Sequence, residues 1–313
     1  MTKRAAVICA SGIGDALIFH ILSYHLRTKL GMKVTTFSDP LPSFGAWLPT
    51  DFSFAPQPRN PEDFEALCDY DAVFLQYDNS PKAVTIRALR PHCNVHILYG
   101  TYLPEKHGPL HPNDFTFQEE LTVADNLCAA VHASKETGLT PPPGLVHRRY
   151  PKRVAIHPMN QDPTQRWSKK RFLLLFQQLQ KEGFEPFFLT SPSEAAEWQA
   201  VPSPTLESAA SLIYESGFFI GNNSGPSHLA SLLQIPSLII SKGAKQWQKW
   251  APSWLPATPI TPRFVPNFKG MRWRENKWQY FISINRVLNS FRNIAKQDNI
   301  YLGGNNERSS SSH

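Results

Sequence analysis

Several patterns that announce a function are missing from this chain. Its 313 residues hold only four cysteines, Cys9, Cys68, Cys93 and Cys128, far apart and without a C-x-x-C pair. That excludes a zinc ribbon and leads us to expect reduced thiols, not a disulfide frame. The 11 histidines show no metal-ligand spacing, so no metal is expected. No apolar run approaches the length of a membrane-spanning helix, and only six weakly apolar residues separate Arg4 from Ser11, too few for a signal-peptide core. The expected location is the cytoplasm. No internal repeat recurs at a fixed period. What is present is ordinary for a globular protein: 41% apolar and 18% charged residues, enough for two domains of about 150 residues. The formal charge of +7 favours an anionic partner.

One stretch organises the rest: residues 218–241, FFIGNNSGPSHLASLLQIPSLIIS. Residues 218–220 and 237–240 are short apolar runs of buried-strand length. Between them Ser224 can cap a helix, Pro226 suits its first turn, and His228, Leu229, Leu232 and Leu233 recur at helical spacing. Gly221 and Gly225 bracket a turn at the carboxyl end of a strand and the positive end of a helix dipole, a place that suits a phosphate or pyrophosphate. An ordinary βαβ connection with Asn and Gly as turn residues accounts for the same pattern.

These residues resemble the nucleotide-sugar motif of the bacterial ADP-heptose heptosyltransferase family, Asp-(Thr/Ser)-Gly-x-x-His-Leu-Ala-Ala-Ala-Leu-Gly-x-Pro. Ser224, Gly225, His228, Leu229, Ala230, Leu233 and Pro236 match it, while Asn223 replaces the family's Asp. The chain also opens as that family does, with a strand at 5–10 and Gly14-Asp15 at the start of a helix. The resemblance implies that Asp15 is the catalytic base, since an inverting sugar transfer needs a carboxylate to take the acceptor hydroxyl proton. A helix N-terminal carboxylate favoured by the dipole is the plainer explanation of Asp15, and that dipole should favour its ionised form. SGIG at 11–14 also resembles a short-chain dehydrogenase loop, but the Tyr-x-x-x-Lys it would need, Tyr102 to Lys106, contains Pro104 and follows Gly100.

Further strands are expected at 33–37, 72–76 and 95–99, with helices at 61–68 and 81–90. A Pro-, His- and Gly-rich loop follows at 102–115, placed to border an acceptor, then a helix at 117–135 and a Pro-rich linker at 139–144. In the second half strands fall at 154–157 and 185–190, and helices at 169–181, 205–214 and 283–294. The family has Lys-x-Trp-Pro before the first of these helices and an acidic residue for the ribose after the next strand. Arg166-Trp167 and Glu194 fit that layout, with Gln165 where the family has Lys; a surface cation and a first-turn acid explain them equally. Cations interleave with Trp247, Trp250, Trp254, Trp273 and Trp278, which suits either an anionic headgroup layer or a packed extension.

The expected fold class is α/β, of GT-B type: two Rossmann-like domains with a central cleft and a C-terminal helix crossing back to the first. The expected divisions are an acceptor domain at 1–150, a nucleotide-sugar donor domain at 151–265, an extension and helix packing on the first domain at 266–302, and a disordered polar tail at 303–313. The resemblance implies an inverting glycosyltransferase without a metal or bound cofactor. It would move a sugar such as a heptose from a donor such as ADP-heptose to a lipopolysaccharide-core or other surface-glycan acceptor. Its donor site would be Gly14, Arg166, Glu194, Asn223, Ser224, Gly225 and His228, with phosphate charge met by Arg166 and His228. The expected chain is monomeric, peripheral on the anionic inner membrane and free of nucleic acid, for which it has no recognised module. A non-catalytic binding or scaffold protein on the same fold is the alternative, motivated by Asn223 and Gln165.

Overall fold

The computed structural model describes residues 2–198, 201–202, 205–266, 275 and 277–309. The chain divides into two units, one comprising Met1–Val146, Ser203–Leu212 and Gln248–Trp254, the other His147–Pro202, Ile213–Trp247 and Leu255–His313.

In the first unit, apolar runs bounded by Gly, Pro and Asp become strands β1 (Arg4–Ile8), β2 (Lys33–Phe37), β3 (Ser53–Ala55), β4 (Ala72–Tyr77), β5 (Val95–Tyr99) and β6 (Phe115–Thr116). They form a parallel sheet of order β3-β2-β1-β4-β5-β6. Helices α1 (Ile13–Thr28), α2 (Pro61–Glu65), α3 (Pro81–Ala88), α4 (Pro104–His107) and α5 (Val123–Ala130) connect the strands or follow them. One core packs Ile8, Val73, Leu75, Ile97 and Tyr99 against Leu67, Ala83 and Ile86. Helix α5 is much shorter than the helix expected at 117–135. The reason is Asn126: its Oδ1 accepts from the Gln118 N–H while its Nδ2 donates to the carbonyls of Gln118, Leu121 and Thr122. One side chain thereby serves the backbone of a loop, and Thr122, accepting from the Asp125 N–H, caps a helix that starts at Val123 and not at 117.

The cysteine expectation needs a correction. Cys68 and Cys93 form a disulfide with their Cα atoms 4.8 Å apart, and only Cys9 and Cys128 are free. The sheet is the physical reason: β4 and β5 are parallel neighbours in register Val73↔Val95, so the residues just before each strand meet at the sheet's amino edge.

The second unit repeats the pattern. Its strands are β7 (Tyr150–His157), β8 (Glu185–Thr190), β9 (Val201–Pro202), β10 (Ser216–Asn222), β11 (Ser237–Ile240) and β12 (Thr258–Ile260). Their parallel order, β12-β11-β10-β7-β8-β9, is the order of the first sheet read from the other edge. Helices α6 (Lys169–Lys181), α7 (Pro192–Trp198), α8 (Leu206–Tyr214), α9 (Gly225–Leu232) and α10 (Ala244–Trp250) follow the strands in turn, with α8 and α10 divided between the two units. Helix α6 buries Phe172, Leu175 and Leu179, one stripe at helical spacing, into a core with Val154, Ile156, Phe218, Ile220 and Leu238.

A closing helix, Ile284–Ser309, adds Val287, Leu288, Phe291 and Ala295 to this second core, where Phe291 packs edge-on to Phe184 and Phe218. A return of this helix to the first domain is not among what the described residues show. The helix continues through 303–309, where composition favours disorder, and 310–313 lie outside the described residues. Among the described indoles of the tryptophan-rich segment, Trp278 is fully buried with Nε1 donating to the Thr164 carbonyl, and Trp254 Nε1 donates to that of Lys135. Lys249 donates to Thr101 Oγ1. Trp273, Lys269, Arg272 and Arg274 lie outside the described residues. No described helix is long and apolar enough to cross a membrane.

Candidate active site

An order of 3-2-1-4-5-6 reverses direction between the first and fourth strands, and the connections leaving those two strands open a crevice at their carboxyl ends. In the first unit the strands are β1 and β4. Chain leaving β1 turns through Ala10 and Gly12 into α1, which places Asp15 in that helix's first turn. The Asp15 Oδ1 accepts from Gln76 Nε2 at 2.6 Å, and Gln76 Oε1 accepts from the Ala10 N–H at 2.8 Å. Gln76 belongs to β4, so the pair joins the two strands across the crossover. Around it Lys82 donates to the Cys9 carbonyl and to Gln57 Oε1, and Gln57 Nε2 donates to the Cys9 and Phe37 carbonyls. Gly14 is buried beside Asp15.

The dipole argument for Asp15 is overturned by burial. Desolvation raises its pKa above the usual carboxylate value and Asp78 adds to the rise, with the Gln76 hydrogen bond opposing both. Burial likewise lowers the Lys82 pKa and pushes the Cys9 thiol up to about 12.

In the second unit the corresponding strands are β7 and β10. Asn222, the last residue of β10, is fully buried, and its amide holds the loop that leaves β7: Nδ2 donates to the Pro158 carbonyl at 2.6 Å and Oδ1 accepts from the Trp167 N–H at 3.0 Å. Asn160 Nδ2 donates to the Asn223 carbonyl at 2.7 Å, and Arg166 Nε donates to the Asn160 carbonyl at 2.7 Å. Arg166, Asn223 and the start of α9 at Ser224-Gly225 are thus tied into one local structure. Gly221 is required where it stands, because a Cβ there would lie 2.9 Å from the His157 carbonyl.

Ser224 is the N-cap of α9, as expected; its hydroxyl donates to the Asn222 carbonyl, while Ser227 Oγ accepts from the Ser224 N–H and donates to the Ser224 carbonyl. One expectation at α9 changes. His228 is no cation. Burial lowers its pKa to about 4 and leaves a neutral ring whose Nδ1 has no partner among the described residues. Glu194 accepts from the N–H and hydroxyl of Ser191, which makes it a cap of α7. His157, at the end of β7, has its Nδ1 2.9 Å from the Leu189 carbonyl and its pKa lowered by burial.

With the geometry in place, comparison with known proteins is decisive for the second half of the chain. Residues 117–252 match the family model described as glycosyltransferase family 9 (heptosyltransferase). That segment, less than half of the 313 residues, is what is similar to glycosyltransferase family 9. That match takes in Arg166, Glu194 and 223–228 but not Asp15. Solved structures extend the likeness over nearly the whole chain. The E. coli ADP-heptose lps heptosyltransferase II is 16% identical with a TM-score of 0.68, over 95% of this chain and 99% of that one. A family 9 glycosyl transferase of Veillonella parvula gives 14% and 0.70 over 94% and 98%. The E. coli heptosyltransferase WaaC with ADP gives 13% and 0.62 over 93% and 100%. At these identities the likeness establishes the fold, which is the GT-B class that the family 9 resemblance implies. No curated protein sequence matches the chain.

Beside the residues named from sequence stand Gln76, Asn160 and Asn222, which sequence reasoning missed. Asn222 had a faint signal, an amide at the end of a buried strand; Gln76 and Asn160 had none. The sequence also holds an Asp-x-Asp, Asp69-Tyr70-Asp71. It precedes β4, at the amino edge of the sheet, where Asp71 Oδ2 accepts from the Arg4 N–H. No group of three His, Cys, Asp or Glu placed to hold a metal ion occurs among the described residues.

Proposed function

We propose that this chain is an inverting, metal-independent glycosyltransferase in which the second unit binds a nucleotide-sugar donor and Asp15 is the general base. The match of 117–252 to the family 9 (heptosyltransferase) model supports glycosyl transfer of that type. The finer reading rests on one observation: in each sheet the polar side chains converge at the point where strand order reverses, a carboxylate in the first and an arginine with a helix start in the second. In the reaction Asp15 takes the acceptor hydroxyl proton as that oxygen bonds to the anomeric carbon. The bond from this carbon to the donor phosphate breaks, and the nucleoside diphosphate leaves with the electron pair. Arg166 and the positive end of α9 meet that charge. The neutral His228 contributes a hydrogen bond, and Glu194, Asn223, Ser224 and Gly225 complete the donor surroundings on the second unit, while Gly14 stands beside Asp15 in the first.

Gln165 does not weaken this assignment. Arg166 at the next position carries the charge. ADP-heptose as donor and a lipopolysaccharide-core or related surface glycan as acceptor are proposed by analogy with the E. coli proteins that bear those names. A monomeric chain and peripheral contact with an anionic inner membrane are proposed from the +7 charge and the cations beside the indoles of 247–278, although Trp254 and Trp278 are already engaged inside the fold.

Calorimetry with ADP, UDP and GDP, followed by mass spectrometry of donor–acceptor mixtures, tests the proposal. One nucleotide should bind and its sugar should be transferred with inversion. A folded protein that binds none of the three, or binds without turnover on any acceptor, is a scaffold and the proposal fails.

A further inference from the structure

Gln76 forms the link between β4 and the turn that carries Asp15, and its side chain is 7% exposed. An amide can present either its oxygen or its NH2 to a neighbour, and density alone seldom tells which. Here the surroundings decide. The Ala10 N–H can only donate, so the atom it meets at 2.8 Å must be the amide oxygen. The NH2 then faces Asp15 Oδ1 at 2.6 Å, and an ionised carboxylate can only accept. Turning the amide over would set N–H against N–H on one side and oxygen against oxygen on the other. Register supplies the reach: Ile8 pairs with Leu75, so Gln76 stands one step along, beside the start of the β1–α1 turn.

The two oxygens of Asp15 are therefore unlike. Oδ1 is held by Gln76, whereas Oδ2 lies over Gly12, where a Cβ would approach it to 2.6 Å. We propose that Gln76 is a positioning residue for Asp15: its amide, locked by the Ala10 N–H, holds Oδ1 and presents Oδ2 to the acceptor hydroxyl. This rests on Asp15 being the base. The amide also works against the groups that oppose ionisation, which are burial and the Asp78 carboxylate that follows β4. The remaining titratable neighbours are the Cys9 thiol at the end of β1, which couples to Asp15, and Lys82 of α3, which couples to Cys9 and Asp78.

A purely structural Gln76 would tie β4 to the turn and nothing more, so the test must read the carboxylate itself. Gln76→Leu removes both bonds, and Gln76→Glu sets a second carboxylate against the first. Carboxyl 13C titration of Asp15, the pH profile of kcat and the Kd for the donor nucleotide are measured on each folded variant. In Gln76→Leu, Asp15 should titrate at higher pH and the acidic limb of kcat should move up with it. Turnover at neutral pH should fall about 10-fold, the worth of one charge-assisted hydrogen bond, with Kd unchanged. Gln76→Glu should move the titration upward as well, which keeps the test open if the leucine variant does not fold. An unmoved Asp15 titration and kcat limb, with Asp15→Asn inactive, overturns the role of Gln76 alone. Full turnover in Asp15→Asn overturns the base and this proposal with it.

Discussion

Asp15 sits where its charge is least comfortable in the first sheet's crevice, and that has a consequence separable from catalysis. Burial raises its pKa in the folded chain. A carboxyl with a raised folded pKa binds its proton more tightly folded than unfolded. Its contribution to stability is therefore present below the unfolded value, near 3.8, and is lost as pH rises through the folded value. At neutral pH the ionised group is a net cost. Asp15→Asn keeps the shape and removes the charge, so the variant should melt at a higher temperature than the native chain at pH 7, with the difference shrinking as pH falls into the acid range. Its turnover should drop by about 10² to 10⁴-fold, while donor affinity is unchanged. A variant both less stable at pH 7 and fully active would mark Asp15 as a helix-start residue of no special function. This opposition of stability and activity is the usual mark of a working carboxylate.

Helix α1 carries another ionisable group, this one fully buried, and it titrates with the opposite sign. His20 is fully buried against Phe52 and Phe54, its ring nitrogens have no partner among the described residues, and burial lowers its pKa to about 3. It stays neutral in the fold and must protonate in the unfolded chain below its ordinary value of 6.5. Stability is then fully present above that value and is lost as pH falls, at about 1.4 kcal/mol per unit for one such group. His20→Leu should flatten the acid side of the stability profile between about pH 6.5 and 4 in denaturant titrations, and unfolding that steepens just as before would place the acid sensitivity elsewhere, with His228 next. The helix itself was legible in sequence, because a glycine turn precedes Leu17, Ile18, Ile21 and Leu22. Strands β2, β5, β8 and β11 and helix α6 likewise stand at the bounds their apolar runs suggest. The edge strands β3, β6, β9 and β12 did not announce themselves: each is two or three residues long, and only a neighbouring strand makes it one. The same division holds in the site. Asp15 and 223–228 lie in continuous motifs, whereas Gln76 acts on a residue 61 positions away and Asn222 on a loop 55 to 64 positions away. No local pattern records such partners.

At the scale of the whole molecule, two sheets of the same strand order have been given different chemistry at the same topological point. The first ends in a half-buried carboxylate, where an anion would be repelled. The second ends in Arg166 and the start of α9, where an anion would be attracted. A nucleoside diphosphate should therefore discriminate between the units without its sugar. A ligand that binds only the folded state adds about 2.7 kcal/mol of stability at a hundred times its Kd. If it binds the second unit alone, that increment should fall on openings that break its site. Amide exchange should be measured with the nucleotide that calorimetry selects. Slowing by up to about 100-fold is expected in β10, the first turn of α9 and the loop at 158–167, whose amides Asn222 and Asn160 hold. Residues 5–37 and 72–99 should exchange at the rate of the free protein. Equal slowing in both regions would show that a single opening governs the whole chain, and slowing confined to 5–37 and 72–99 would move the diphosphate to the Asp15 crevice and reverse the roles proposed for the two units.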